Sequence, residues 1–168
     1  ANHPGIAMQS GKILVAEQDG SHILKLLGDV RLTMCTALDE HFEAMFAHES
    51  FINVLVDLSD ADNVDSTTLG MLAKLAIKAN QARHEPPVLL STNPDITRIL
   101  ESMGFDRIFH IRNEPLTSDD DLGELPPVAD SEAKIRERVL DAHRILMGLC
   151  SENEVRFQDL VETLQSDV

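Results

Sequence analysis

The sequence holds no apolar run near the roughly 18 to 20 residues that cross a bilayer. It also lacks a basic start followed by an apolar stretch and a small-residue cleavage site. Both absences predict a cytoplasmic protein without membrane contact. Basic residues are scarce: 14 against 29 acidic ones, a formal net charge of −15 over 168 residues. Such a field repels nucleic acid and anionic lipid, so the partners expected are proteins with basic patches. The imbalance is uneven, with 9 basic and 15 acidic residues in 1–112 and 5 and 14 in 113–168. The two cysteines, Cys35 and Cys150, fall far apart in predicted helices without zinc or redox spacing, and read as free thiols. The seven histidines are scattered and form no H-E-x-x-H; His41 and His48 stand two helical turns apart. They read as surface residues, and neither a metal site nor a cofactor is expected. The stretch "VDSTTLG" offers one late glycine and no lysine, which excludes a phosphate-cradling loop. Val64 and Thr68 occupy the positions where a serine-hydrolase elbow needs glycines. No catalytic residue is assigned, and a non-enzymatic role is expected.

What is present is strong periodicity. "KILVAEQ" and "SHILKLLGD" flank Asp19-Gly20, a pair suited to a tight hairpin. "TMCTALDEHFEAMFAHES" sets Leu38, Phe42, Met45 and Phe46 on one helical face, with Thr33 as the candidate cap. "FINVLVDL" is apolar at nearly every position, as in a central strand covered on both sides. A helix is predicted over 66–83 with Leu69, Leu72, Ala76 and Ala79 inward, capped by Asp65 or Ser66. "PPVLLS" is a further strand, and Asn93-Pro94 opens a helix that ends at Gly104. "DRIFHI" is the last short strand.

The order β-β-α-β-α-β-α-β predicts an α/β fold: a small mixed β-sheet with an N-terminal hairpin and helices, plus a C-terminal helical extension. Residues 1–11 are expected to be a loose tail or a leftover of expression, 12–112 the main domain, and 113–129 an acidic Pro/Asp-rich linker. Residues 130–168 carry two amphipathic helices. The first has its stripe at Ile135, Val139, Ala142, Leu146 and Leu149. The second has Phe157, Leu160, Val161 and Leu164, with Ser151 and Glu154 as a capping box. Neither helix can bury its stripe alone.

Two resemblances compete at the joint between strand and helix. "KILVAEQDG" and Asp57 at a strand end are similar to a response-regulator receiver. That likeness breaks because the first strand leads straight into a second, and because no Lys-Pro pair follows in the domain. Residues 12–112 instead resemble a STAS domain, the fold of anti-sigma factor antagonists. That family carries a strand ending in Asp-Leu-Ser, then D-S-[ST]-G-[LI]-G opening a helix, later an Asn-Pro and a closing G-[LF]-x-x-[IL]-F. Asp57, Leu58, Ser59, Asp65, Ser66, Thr67, Leu69, Gly70, Asn93, Pro94, Gly104, Phe105, Ile108 and Phe109 match. Thr68 departs, standing where the family most often has glycine, and implies a stiffer loop.

The resemblance implies a phosphorylation-switched binding protein. Ser66 aligns with the serine that a partner kinase modifies, often the anti-sigma factor itself, and that a metal-dependent phosphatase clears. In the unmodified form the protein would bind and sequester an anti-sigma factor. The alternative is a STAS signalling adaptor whose phosphorylation state selects another client, such as a second-messenger enzyme or a two-component regulator. Phosphate adds about −1.5 to −2 charge, which a helix N-terminus accommodates. Its effect is therefore expected on docking rather than on folding. Candidate partner contacts are Asp57, Ser59, Asp65, Thr67 and Thr68, with Met71, Lys74, Leu75 and Lys78 on the outer side of the helix.

Overall fold

The computed structural model describes residues 10–117 and 121–166. Strands β1 (Lys12–Gln18) and β2 (Ser21–Val30) form the opening hairpin, closed by Asp19 and Gly20 alone. Both turn residues have positive φ, 52° and 91°, the conformation a two-residue I′-type turn requires. Gly20 has a second reason to be glycine: a Cβ there would lie 1.9 Å from the Ser50 carbonyl oxygen. Of the expected loose tail, residues 1–9 lie outside the described residues. Ser10 is bridged to Asp29 beside the sheet.

Helix α1 (Cys35–Ala47) follows a single 3₁₀ turn, Leu32–Met34. The expected Thr33 cap is corrected: Met34 stands at the N-cap, with no side-chain bond, because Thr33 is inside the 3₁₀ turn. Strand β3 (Asn53–Asp57) pairs in parallel with the first half of β2 and with β5 (Val88–Leu90). It is thus the interior strand that its apolar run predicted. Helix α3 (Pro94–Ser102), capped by Asn93, exits through Gly104 at φ 85° into a 3₁₀ turn at Phe105–Arg107. That turn takes the front of "DRIFHI", leaving only β6 (His110–Arg112) as strand.

Two strands escaped the sequence reading. Strand β4 (Ala61–Val64) pairs in parallel with the far end of β2, past an irregularity at Gly28/Asp29. Its sequence, "ADNV", has too little apolar character to declare itself. Strand β7 (Gly123–Glu124) rises from the acidic segment expected to be a linker and pairs antiparallel with Leu14 and Val15 of β1. The sheet order is β6-β5-β3-β2-β1-β7, with β4 joined to β2.

The long β2 is what positions the site. Its first half holds β3, its second half holds β4, and the turn between those strands runs through Leu58 and Asp60. The chain is thereby delivered to Asp65, whose N–H bonds to the Val30 carbonyl at the end of β2 (3.1 Å). Helix α2 (Ser66–Arg83) starts there. Its inner face, Leu69, Leu72, Ala76 and Ala79, is buried in one core with Leu24, Leu26, Val54 and Val56. Helices α4 (Glu132–Met147) and α5 (Ser151–Ser166) form a hairpin, and α4 packs along α2. Ser151 is the first residue of α5 rather than the one before it, and the Glu154 N–H bonds to the Cys150 carbonyl (3.3 Å) where the expected capping box would direct it to Ser151.

Three histidines contradict the surface reading: His143 of α4, which is 1% exposed, and the pair His22 and His41. His22 is buried and stacks on Phe51, and His41 is partly buried; His22 Nδ1 and His41 Nε2 have no hydrogen-bond partner. Burial lowers both pKa values below 6.5; at His22 Glu17 opposes this and His48 adds to it, and at His41 the His22 charge adds to it. The unfolded chain then binds more protons than the folded one just below pH 6.5. Stability is present above that value and is lost as pH falls through the lowered pKa values. The urea midpoint is expected to drop between pH 7.5 and pH 5.5. The drop should shrink in the His22→Gln/His41→Gln double variant; an equal drop there would assign the acid sensitivity elsewhere.

Candidate functional site

The joint between β4 and α2 is organised by Asp65. Its Oδ1 accepts from the Thr68 N–H (2.8 Å), the helix cap the sequence predicts, and its Oδ2 accepts from the Leu32 N–H (2.7 Å). One carboxylate therefore satisfies an orphan amide of α2 and ties down the turn ahead of α1. Asp65→Ala is expected to cost about 1 to 2 kcal/mol, the upper range for an N-cap. Urea denaturation measures it. Asp65→Asn, which keeps an acceptor oxygen for one bond, should recover part of the loss.

Ser66 opens α2 with its side chain partly exposed. Its hydroxyl is not free. Oγ lies 2.8 Å from Nε2 of His143, a buried side chain of α4. His143 Nδ1 faces the Val139 carbonyl at 2.7 Å. A carbonyl only accepts, so Nδ1 carries the proton; in the neutral ring Nε2 accepts and the Ser66 hydroxyl donates. The Phe157 ring of α5 meets the imidazole edge-on, with centroids 5.0 Å apart. Sequence reasoning missed His143, and a signal was available: it sits beside Ala142 within the apolar stripe of α4, where a surface histidine has no place.

Thr67 and Thr68 do not join Ser66 at the surface. Both are buried, Thr68 completely, which corrects their expected exposure. Thr68 has no positive φ, so the backbone at the position where the family most often has glycine makes no demand for it. Met71 and Leu75, expected on an open outer face, are buried as well, at 1% and 0% exposure. The reason is that α2 is covered twice, by the sheet on one side and by α4 on the other. Contact is tight at Gly70, where a Cβ would lie 2.4 Å from the Ala142 carbonyl oxygen. Lys78 remains exposed, and Lys74 is half-buried between two carboxylates, Asp39 of α1 (3.2 Å) and Asp141 of α4 (3.5 Å).

Arg138 of α4 completes the seam, with Nε to Asp39 (3.1 Å) and a terminal nitrogen to Asp130 (2.6 Å) and Thr36 (3.1 Å). Burial alone would lower the Arg138 pKa, but its bonds to Asp130 and Asp39 raise it; the same bond to Arg138 is the main cause that lowers Asp130. At the opposite end, the Asn153 amide donates to the Met103 and Leu146 carbonyls, both at 2.8 Å. Arg107 donates to the Leu149 carbonyl (2.9 Å).

Asp57 also departs from its expected contact role. It is fully buried at the end of β3, its Oδ1 accepting from the Ser59 N–H (2.9 Å) and its Oδ2 4.0 Å from Lys25 Nζ. It holds the turn into β4 and is not available to a partner. Ser59 is partly exposed, while Asp60 and Asp62 are open to solvent.

Among the described residues no helix is long and apolar enough to cross a membrane, and no group of three His, Cys, Asp or Glu side chains is placed to hold a metal ion. Among solved structures, an anti-sigma factor antagonist from Mycobacterium paratuberculosis is 23% identical, with a TM-score of 0.52 over 67% of this chain and 90% of that one. SpoIIAA of Bacillus in its phosphorylated form is 13% identical, with a TM-score of 0.48 over 64% of this chain and 93% of its own. Unphosphorylated SpoIIAA gives 14% and 0.48, over 64% and 90%. The first likeness is one of fold. Residues 13–113, more than half the sequence, match the family model described as "Mlab, STAS domain". With its mixed sheet and the Asp65-Ser66 helix entry, the chain belongs to the STAS domain family.

Proposed function

We propose that the chain is a phosphorylation-controlled protein-binding module of the anti-sigma factor antagonist kind, with Ser66 as the modified residue. The observation that carries this reading is the placement of Ser66: first residue of α2, partly exposed, directly after the Asp65 cap at the positive end of the helix dipole. An anion there is favoured by roughly 0.3 to 1 kcal/mol, so the domain tolerates phosphate. The unmodified form would present the partly exposed edge at Ser66, with Ser59, Asp60 and Asp62, to an anti-sigma factor or switch-protein kinase and sequester it. A metal-dependent serine phosphatase would restore that form. The expected client carries basic patches, matching the net charge of −15.

One observation favours the second reading, an adaptor whose phosphorylation state selects another client, such as a second-messenger enzyme or a two-component regulator. The α4–α5 hairpin lies on the α2 face in the unmodified protein, so the two Ser66 states need not offer the same surface. Incubation with the cognate kinase and mass spectrometry test the modification itself. Phosphate should appear on Ser66 and be absent from Ser66→Ala; equal labelling of that variant would overturn the reading. Capture experiments with unmodified and phosphoserine-66 protein then separate the two functions, since only the adaptor should bring down a different client with each form.

A further inference from the structure

We propose that the α4–α5 hairpin is a built-in cover of the α2 face and that phosphate on Ser66 opens it; this regulation rests on the reading of Ser66 as the modified residue. The transfer is a simple exchange. The Ser66 oxygen forms a bond to the γ-phosphorus of a nucleoside triphosphate, the bond to the bridging oxygen breaks and the diphosphate leaves. The hydroxyl proton passes to a base of the kinase.

That proton is the one the closed structure uses. Ser66 donates it to His143 Nε2 across 2.8 Å, and the O–H donor disappears on modification. A phosphoryl group on that oxygen then crowds the imidazole, which stands 2.8 Å from it. His143 cannot retreat, because it is 1% exposed and the Phe157 ring backs it from α5. Nor can α2 retreat, since it is seated on the sheet through Leu69 and Leu72 and fastened by Asp65 at both Thr68 and Leu32. The movable body is the hairpin. Its seam with α2 at Gly70 and Ala142 leaves no room even for a Cβ, and its polar fastenings to the first two helices include the half-exposed Lys74–Asp141 pair and the Arg138 bonds to Thr36 and Asp39. The Lys74–Asp141 pair, whose carboxylate is 54% exposed, contributes little; the Arg138 bonds, 20% and 15% exposed at Arg138 and Asp39, hold more firmly. Asn153 and Arg107 hold the turn between α4 and α5 against residues 103–107, and together with the Arg138 bonds and the burial of Leu146 and Phe157 in the shared core they oppose release. Opening uncovers Gly70, Met71 and Leu75, an apolar helix face flanked by Lys74, which the unmodified protein does not present.

The test uses the full chain with phosphoserine installed at position 66 during translation, so that no kinase is needed, and reads amide hydrogen exchange by mass spectrometry at pH 7.5. In the unmodified protein, peptides from 132–147 and 151–166 should be protected. With phosphoserine they should exchange at least about tenfold faster, while β2 and β3 stay as slow as before. Ser66→Glu provides a second, smaller anion and should move exchange in the same direction by less. Unchanged hairpin protection would overturn the proposal. So would increased protection, which would mean that phosphate pairs with a protonated His143 and tightens the cover. Loss of sheet protection together with the hairpin would overturn it too, since the phosphate would then be damaging the domain. A kinase that fails to modify Ser66 removes the proposed function but leaves this coupling measurable, and an unmoved hairpin does the reverse.

Discussion

Gly70→Leu is expected to strip the α4–α5 hairpin from the domain while leaving the sheet folded. A Cβ at position 70 would lie 2.4 Å from the Ala142 carbonyl oxygen, 2.6 Å from its Cβ and 2.7 Å from its carbonyl carbon. Two of those three atoms are backbone, so no rotamer change in α4 relieves the contact. Overpacking of this kind costs about 1 to 3 kcal/mol where neighbours can adjust. Here the adjustment is the departure of a whole helix from Met71 and Leu75. Amides of 132–166 should lose protection in exchange experiments, and those of β2, β3 and β5 should keep theirs. Gly70→Ala separates two effects. The methyl alone already clashes, yet alanine improves the intrinsic helix propensity of α2 by up to about 1 kcal/mol. The alanine variant should therefore loosen the hairpin with a smaller loss of overall stability than leucine causes. Wild-type protection of α4 in Gly70→Leu would show that the seam is softer than its spacing implies.

The same glycine shows what the sequence could and could not tell. Gly70 was legible as the last member of the D-S-[ST]-G-[LI]-G pattern, from which Thr68 departs, and the helix it belongs to was legible from periodicity, with bounds at Ser66 and Arg83. Asn93 at the entry of α3 and Gly104 at its exit were equally plain, because local backbone chemistry decides both. The amphipathic stripes of α4 and α5 announced that they must be covered, but periodicity carries no address. Only the structure assigns α4 to α2, and that assignment converts Met71 and Leu75 from expected contact residues into buried ones. It also turns His143 from a scattered surface histidine into the partner of Ser66. Strands β4 and β7 were illegible for a different reason. Four residues and two residues, with one or no apolar core member each, are held by the strands they join rather than by their own pattern.

Lys25→Ala is expected to be the most destabilising single change outside the apolar core, by about 3 to 5 kcal/mol. Lys25 and Asp57 are register partners on β2 and β3, at 6% and 0% exposure. Removing the ammonium leaves the Asp57 carboxylate fully enclosed, with the Ser59 N–H on Oδ1 and no hydrogen bond on Oδ2. A buried charge stripped of its counter-charge costs far more than the pair contributes when intact. Asp60 provides the control. It lies closer to Lys25, 2.9 Å against 4.0 Å for Asp57, but its side chain is 56% exposed. Asp60→Ala should cost under about 1 kcal/mol, because water replaces what it supplies. Distance alone ranks the two carboxylates one way and burial ranks them the other, so urea denaturation of the variants decides which governs. The double variant Lys25→Met/Asp57→Leu, which removes both charges, should recover most of what Lys25→Ala loses. If Lys25→Ala and Asp60→Ala prove equally mild, the end of β3 is wetter than the structure shows. The turn into β4, and with it the rigid presentation of Ser66, would then need another support.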